Sequence, residues 1–337
     1  MSKDVRDNRD EGKMETQVED GYRFLITGGA GFIGSNMAEH LLEKGHFVRV
    51  FDNFLTGKRE NVAPLNSFEG LFEIIESDLR DREAVSKACI GIDYVLHQGA
   101  LASVPRSVED PFTTNEINVG GTLNVLLGAK KEGVKRIVFA SSSSIYGDSE
   151  VLPKVETMQP SPKSPYALHK LTGEHYLRLF YELYGLETVA LRYFNVFGPR
   201  QDPKSMYAAV IPNFITALLQ GERPTVYGDG EQTRDFTFVE NVINANLLAC
   251  SAPVAACGKA FNIACGTRYS LLQLLDTVGR AIGVEADPTF EVERPGDVRD
   301  SMADISMAEG LLSYEISTDF EEGLGETVEW YRQNLVG

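Results

Sequence analysis

From Arg23 onward the chain alternates between short apolar runs and longer stretches whose apolar residues recur every three or four positions. Arg23-Phe-Leu-Ile-Thr27 is such a run and ends in glycines, and Ser35 to Glu43 then carries helical periodicity. Phe47-Val-Arg-Val-Phe51 reads as the next strand, ending at Asp52, and Phe72 to Glu76, Tyr94 to His97, Arg136 to Ala140 and Glu187 to Arg192 have the same character. Helices are expected around 82–89, 113–132 and 165–184. Strands alternating with helices predict an α/β fold with a doubly wound parallel sheet, whose ligands sit outside the carboxyl ends of the strands. After residue 193 the pattern breaks into segments punctuated by Pro and Gly, with helical pieces near 208–220 and 239–251. The expected organisation is a flexible extension over 1–20 and a nucleotide-binding domain over 21–193 with a return segment near 235–260. A smaller C-terminal substrate domain is expected from 194–234 and 261–337.

Composition narrows the partners. The formal net charge of −17 over 337 residues argues against nucleic acid and anionic membranes, which call for a basic footprint. A few converging arginines could still hold an anionic substrate. Cys89, Cys250, Cys257 and Cys265 form no Cys-x-x-Cys pair, which fits a reduced, cytoplasmic protein with buried thiols. None of the five histidines has ligand spacing with a carboxylate or cysteine, so no metal is expected. Met1 to Asp20 is charge-dense without an apolar segment, and no run of about 18 apolar residues occurs, so neither a signal peptide nor a membrane span is expected.

Thr27-Gly-Gly-Ala-Gly-Phe-Ile-Gly34 follows a strand and opens a helix, the context in which a glycine motif carries meaning. Gly28, Gly31 and Gly34 permit the tight turn, the close approach of backbone to a pyrophosphate and helix–strand packing, and the helix N-terminus offers free N–H groups to phosphates. Asp52, at the end of the second strand, lies eighteen residues beyond Gly34. Its carboxylate suits the adenosine ribose diol and repels a 2′-phosphate, and Asn53 follows where an arginine would welcome one. The pattern predicts a Rossmann sheet that binds NAD rather than NADP.

Tyr166-Ala-Leu-His-Lys170 lies downstream of the serine cluster Ser141 to Ser144. Residues at i and i+4 share a helix face, so the Tyr166 phenol and the Lys170 ammonium can address one ligand. A free phenol titrates near 10, too high for a base at neutral pH. A neighbouring cation, and the positive nicotinamide ring, would favour the phenolate. Such a phenolate can take a proton from a sugar hydroxyl while hydride leaves the same carbon.

With these elements in order, the sequence resembles the extended short-chain dehydrogenases/reductases, and among them the UDP-hexose 4-epimerases of the branch that prefers N-acetylated sugars. The resemblance covers the chain from about residue 22 to its end. It rests on Gly28-Gly-Ala-Gly-Phe-Ile-Gly-Ser35, Asp78-Leu79, His97-Gln-Gly-Ala-Leu-Ala-Ser-Val-Pro-Arg106 and Arg192-Tyr-Phe-Asn-Val-Phe-Gly-Pro-Arg-Gln-Asp202. Tyr207-Ala-Ala-Val-Ile-Pro212, Gly228-Asp-Gly-Glu-Gln-Thr-Arg-Asp-Phe236 and Arg294-Pro-Gly-Asp-Val-Arg-Asp-Ser301 extend it. It implies Ser142, Tyr166 and Lys170 as catalytic residues. Around the cofactor it implies Phe32, Ile33, Asn53, Asp78, Leu79, Gln98, Ala100 and Tyr193, besides the glycines and Asp52. Around the substrate it implies Ser103, Ser142, Ser143, Tyr166, Asn195, Val210, Tyr227, Arg234, Arg294, Asp297 and Ser301. Two arginines offset the diphosphate charge. Gly99, where many relatives carry alanine, is expected to loosen the cofactor wall slightly.

The implied reaction is epimerisation at C4. Tyr166 removes the O4 proton while hydride passes to NAD, the 4-keto sugar turns over on its UDP anchor, and hydride returns to the opposite face. Ser144 and Ser143 stand where related dehydratases and decarboxylases place acidic residues, which disfavours those chemistries. A UDP-galactose 4-epimerase restricted to unacetylated sugars, a UDP-glucuronate 4-epimerase and an NAD-sensing scaffold are the alternatives. Epimerases restricted to unacetylated sugars often place tyrosine at the position of Ser301; serine leaves room for an N-acetyl group. His97 is expected as a packed neutral imidazole, and Trp330 and Tyr331 as packing for the last helix. The helices at 113–132 and 165–184 are apolar beyond what one sheet contact needs, and in relatives this pair forms a four-helix bundle, so a homodimer is expected.

Overall fold

A computed structural model describes residues 21–203, 209–293 and 299–335. Strand β1 (Arg23–Thr27) sends Phe24 and Ile26 to one face and Leu25 to the other, as a two-residue period requires. The chain continues through α1 (Phe32–Glu43), β2 (Phe47–Asp52), β3 (Phe72–Glu76), α2 (Arg82–Ala88), β4 (Tyr94–His97), α3 (Val104–Glu109) and α4 (Gly121–Glu132). It then forms β5 (Arg136–Ser142), α5 (Pro165–Tyr184), β6 (Glu187–Tyr193), α6 (Val210–Leu219), α7 (Val239–Ser251), β7 (Lys259–Ile263), α8 (Leu271–Ile282) and α9 (Phe320–Leu335). The seven strands make one parallel sheet in the order β7-β6-β5-β4-β1-β2-β3. The direction of winding reverses between β1 and β4, where a doubly wound sheet opens its ligand crevice.

Each face of the sheet has its own core. Met37 and Leu41 of α1 and Val242 of α7 pack with Phe24 and Ile26 on one side; Val85 of α2, Val125 of α4 and Leu177 of α5 pack with Leu25 and Phe51 on the other. Helices α6, α8 and α9 pack on one another beyond the sheet edge, with Tyr331 fully buried and Trp330 partly so. No helix among the described residues is long and apolar enough to cross a membrane.

Several elements differ from the sequence expectation. The helix predicted over 113–132 is a short helix Pro111–Asn115, a widened turn over Glu116–Gly120, and then α4. Within the widened turn Asn118 faces inward, accepting from Leu101 N at 2.8 Å and donating to Leu101 O at 3.2 Å. Such π-type turns commonly sit beside functional sites, and this one braces the loop after β4. Strands β5 and β6 run one or two residues further than their apolar runs, because Ser142 and Tyr193 are register partners at the end of the ladder. Strand β7, not foreseen, adds to β6, so a boundary at residue 260 falls inside a strand.

Helix α5 lies close on β5 because Gly173 has no side chain: a Cβ there would meet the buried Phe139 ring at 2.6 Å. Gly173→Ala should cost about 1–3 kcal/mol through overpacking. Gly325 in α9 has open space around it and a helical backbone. Gly325→Ala should raise stability by about 0.4–1 kcal/mol. Opposite shifts of the two variants in denaturant midpoint are the expected result; equal shifts would contradict the packing argument.

Candidate active site

The Tyr-x-x-x-Lys pair opens α5, whose N-cap Ser164 accepts from Ala167 N at 3.2 Å with Pro165 in the first helical position. Tyr166 N donates to Ser107 Oγ of α3 at 3.1 Å, so the helix start is fastened from outside as well. Ser142, at the carboxyl end of β5, accepts from Ser144 N at 3.2 Å, and its hydroxyl lies beside the Tyr166 phenol. One turn on, Lys170 Nζ donates to Ala140 O at 2.6 Å and lies 5.8 Å from the Tyr166 ring centroid and 4.8 Å from that of Phe139. The three expected catalytic residues therefore meet where β5 ends.

Their electrostatics depart from the expectation. Burial pushes the Lys170 ammonium down to about 7. Tyr166 keeps some surface open to the cleft, yet the protein packed around its phenol raises its pKa, with the neighbouring Ser142 hydroxyl pulling the other way. Desolvation of the phenol outweighs any help from Lys170, whose ammonium donates to the Ala140 carbonyl.

A cleft of about 380 Å³ runs past this group, lined by Gly31, Phe32, Ile33, Gly34, Gln98 and Tyr193 together with Ser103, Tyr166 and Lys170. It adjoins a shallower recess lined by Gly28, Asp52, Asn53, Asp78, Leu79 and Ala100. Gly28 has φ +68, and a Cβ there would lie 2.6 Å from Gly99 Cα, so only glycine keeps this cradle open. Asp52 accepts from Ala30 N at 3.0 Å and Phe54 N at 2.8 Å, and burial raises its pKa against those bonds. Asn53 Nδ2 donates to Asp78 at 2.8 Å, and the Arg80 guanidinium draws the Asp78 carboxyl down to about 2. Helix α1 begins at Gly31 with no side-chain cap and no acidic residue in its first turn, a free set of N–H groups for an anion. This cradle and helix end fit a dinucleotide.

Gly99 does not loosen the wall. Leu79, Thr27 and Gly28 close on it, and a Cβ would stand only 3.0 Å from Leu79 Cδ1. His97 matches its expectation: its ring nitrogens engage Thr27 Oγ1 at 2.6 Å and Thr122 Oγ1 at 2.9 Å, and burial lowers its pKa to about 3. The described residues contain no cluster of His, Cys, Asp and Glu able to hold a metal.

A second cleft, of about 260 Å³, is lined by Asn195, Val210, Tyr227 and Arg234, joined by Gln201 and Phe236. Asn195, at φ +31, donates to Asp235 O at 3.0 Å and to Ser301 Oγ at 3.5 Å. Ser301 thus stands behind Asn195 rather than in the cleft wall. Arg234 Nη1 donates to Thr233 O and Arg299 O, both at 2.9 Å. Arg299 pairs with Asp229 at the surface, 3.1 Å away. Ser143 lines none of these clefts. Arg294 and Asp297 lie outside the described residues.

Sequence reasoning missed the residues behind the site. Asn246 of α7, fully buried, donates to Tyr193 Oη at 2.8 Å and accepts from Gln98 at 3.2 Å, so the return helix holds two cofactor-cleft residues. Glu174, one turn beyond Lys170 on the same face, accepts from Ser141 and pairs with Arg192 at 2.8 Å. The four-residue spacing from Lys170 was the one signal available for it.

The chain matches the family model described as NAD dependent epimerase/dehydratase family over residues 24–264. Among solved structures it is similar to the UDP-N-acetylglucosamine 4-epimerase of Methanobrevibacter ruminantium M1, in complex with UDP-N-acetylmuramic acid. The identity is 41% and the TM-score 0.89, covering 94% of this chain and 100% of that one. It is also similar to the UDP-glucose 4-epimerase of Thermotoga maritima with UDP-glucose, at 38% identity and TM-score 0.87 over 93% and 99% of the two chains. A third likeness is to the UDP-glucose 4-epimerase of Thermus thermophilus in complex with NAD, at 39% identity and TM-score 0.81 over 92% and 99%.

The buried ammonium makes a stability prediction. Lys170 titrates near 7 when folded and near 10.4 when unfolded. Between those values the unfolded chain binds more protons, so stability rises with pH across that window, and the full cost applies below about 7. Lys170→Met should therefore unfold at higher temperature than wild type at pH 6, an advantage that shrinks as pH approaches 10. A difference that does not change with pH would mean the ammonium is not desolvated.

Proposed function

The chain belongs to the NAD dependent epimerase/dehydratase family, within its UDP-sugar 4-epimerases, and from that premise we propose that it interconverts UDP-GlcNAc and UDP-GalNAc, with UDP-Glc and UDP-Gal as further substrates. The observation that carries this reading is the setting of Tyr166 and Lys170 in the cleft of the glycine cradle, with Ser142 beside Tyr166 and a second cleft formed by Asn195, Tyr227 and Arg234. NAD, held by the glycine cradle and Asp52, would supply the hydride acceptor and donor for the sugar C4.

The chain's own residues supply the rest. Tyr166 takes the O4 proton and later gives it back, with Ser142 hydrogen-bonded to the same oxygen and steering the transfer. Lys170, held against Ala140 O, stands one turn from the phenol and, when charged, steadies the phenolate as it forms. Arg234, with Arg294, offsets the diphosphate, so that the sugar alone turns between the two half-reactions. Ser143 and Ser144 offer no acid for elimination or decarboxylation. A dimer belongs to the same reading: α5 leaves Leu168, Leu179 and Leu183 exposed along one face, suited to a second copy.

Purified protein incubated separately with UDP-Glc, UDP-Gal, UDP-GlcNAc and UDP-GalNAc, with products resolved by chromatography, tests the substrate. Turnover of the unacetylated pair alone would favour the restricted epimerase instead. Tyr166→Phe should lower kcat by about 10²–10⁴-fold while UDP-sugar binding persists, and Ser142→Ala should cost less. Near-normal rates in the Phe variant would remove Tyr166 from the mechanism.

The N-acetyl preference rests on Ser301 behind Asn195. A tyrosine there would press on Asn195, which lines the cleft, and overfilling a packed site costs about 1–3 kcal/mol or more. Ser301→Tyr should suppress the acetylated pair and spare the plain pair, read as the ratio of their kcat/KM values. Retained acetylated activity would show that Ser301 is not the gate.

A further inference from the structure

Asn246 of α7 is fully buried behind the first cleft, and all of its amide hydrogen-bonding is met by protein. Its nitrogen donates to Val242 O, one turn earlier in the same helix, at 2.7 Å and to Tyr193 Oη at 2.8 Å. Its Oδ1 accepts from Gln98 Nε2 at 3.2 Å. Gln98 follows β4, where its backbone N donates to Thr27 O at 3.2 Å, and it lines the cleft together with Tyr166, Lys170 and Tyr193. It takes no part in the recess of Asp78 and Leu79.

These bonds can run in one sense only. A backbone carbonyl accepts and never donates, so Val242 O makes Asn246 turn its nitrogen towards the helix and its oxygen towards Gln98. Gln98 must then offer its own nitrogen, because the reverse would set two amide oxygens against each other without water to separate them. The second hydrogen of Gln98 Nε2 is directed at Tyr193 Oη, 3.1 Å away. Both donors of this side chain are therefore committed inside the protein. Its Oε1 has a single long contact, 3.3 Å from Tyr193 Oη, and keeps a second lone pair for a ligand.

We infer that Asn246 is a positioning residue for the cofactor: acting through Gln98, it makes the cleft wall shared with Tyr166 a hydrogen-bond acceptor, which takes an N–H of the nicotinamide carboxamide. An amide free to turn would offer donor and acceptor alike. Held by Asn246, Gln98 offers an acceptor alone and so selects a ligand group that donates. The inference rests on NAD as the occupant of the first cleft and is independent of which sugar is epimerised.

The acetylpyridine analogue of NAD keeps the carbonyl on the ring and lacks the amide N–H, so it reads this one bond. Holoenzyme is equilibrated with equal concentrations of NAD and the analogue, free nucleotide is removed, and bound nucleotide is released by acid and quantified. Wild type should hold NAD over the analogue by about tenfold, since the analogue leaves the acceptor unmet. Asn246→Leu, of similar size and without polar atoms, should bring that ratio to within about twofold of parity, because Gln98 is then free to turn. Gln98→Met, which removes the acceptor itself, should do the same. A wild-type ratio near parity would overturn the inference. So would a preserved ratio in Asn246→Leu, even with less nucleotide retained in total, because Asn246 would then be purely structural. If Asn246→Leu does not fold, Asn246→Ser, which leaves room for water behind Gln98, decides by the same ratio.

Discussion

The buried ion pair between Glu174 and Arg192 is the joint on which the site is built. The two side chains are 8% and 6% exposed and meet at 2.8 Å, with a second contact from Nε at 2.9 Å. Removing one partner of such a pair leaves an uncompensated buried charge, typically costing about 3–5 kcal/mol, so the two residues hold each other in place. Glu174 lies one turn beyond Lys170 and accepts from Ser141, the neighbour of Ser142. Arg192 precedes Tyr193 and donates to Tyr146 Oη at 2.8 Å. Helix α5, strands β5 and β6 and the turn after β5 are therefore locked together beside Tyr166, Lys170 and Ser142.

The lock extends to the substrate side. Tyr146 Oη donates to Asn262 Oδ1 at 2.7 Å, and Asn262 Nδ2 donates to Lys154 O at 2.9 Å and Asp304 O at 3.1 Å. Asp235, fully buried, accepts from Cys265 N at 2.9 Å and Ala303 N at 3.1 Å, while its own carbonyl holds Asn195. Burial raises this carboxyl to about 6 in spite of its backbone donors. The wall of the second cleft is thereby hydrogen-bonded to the ends of the sheet strands that carry the first. The two clefts are thereby held at constant separation, which the proposed turning of a sugar on a fixed nucleotide would require.

Burial has a price in charge stability and a benefit in control. Lys170 is desolvated against Phe139 and Ala140, which weakens its hold on its own proton. Tyr166 is pushed the other way. Each shift disfavours the charged form, so the pair favours a phenolate only when further positive charge enters the cleft. The site is thereby least basic when it has no work to do.

The sequence by itself determined the alternating fold, the glycine cradle, Asp52 at the end of the second strand, and the Tyr166–Lys170 pair, because each is local. A two- or four-residue period, a glycine spacing or a strand end is written in consecutive residues. It could not decide the partners that meet only after folding. Asn246 reaches Tyr193 across 53 positions and Gln98 across 148, and Arg192 meets Glu174 from a neighbouring strand. The wall at Gly99 was misjudged for the same reason: its tightness comes from Leu79 and Thr27, which only the sheet brings near. The charge state of Lys170 was likewise out of reach, since desolvation depends on every neighbour packed around it. Local pattern fixed which groups are present and on which face, and tertiary packing decided what each one touches and how strongly it holds its proton.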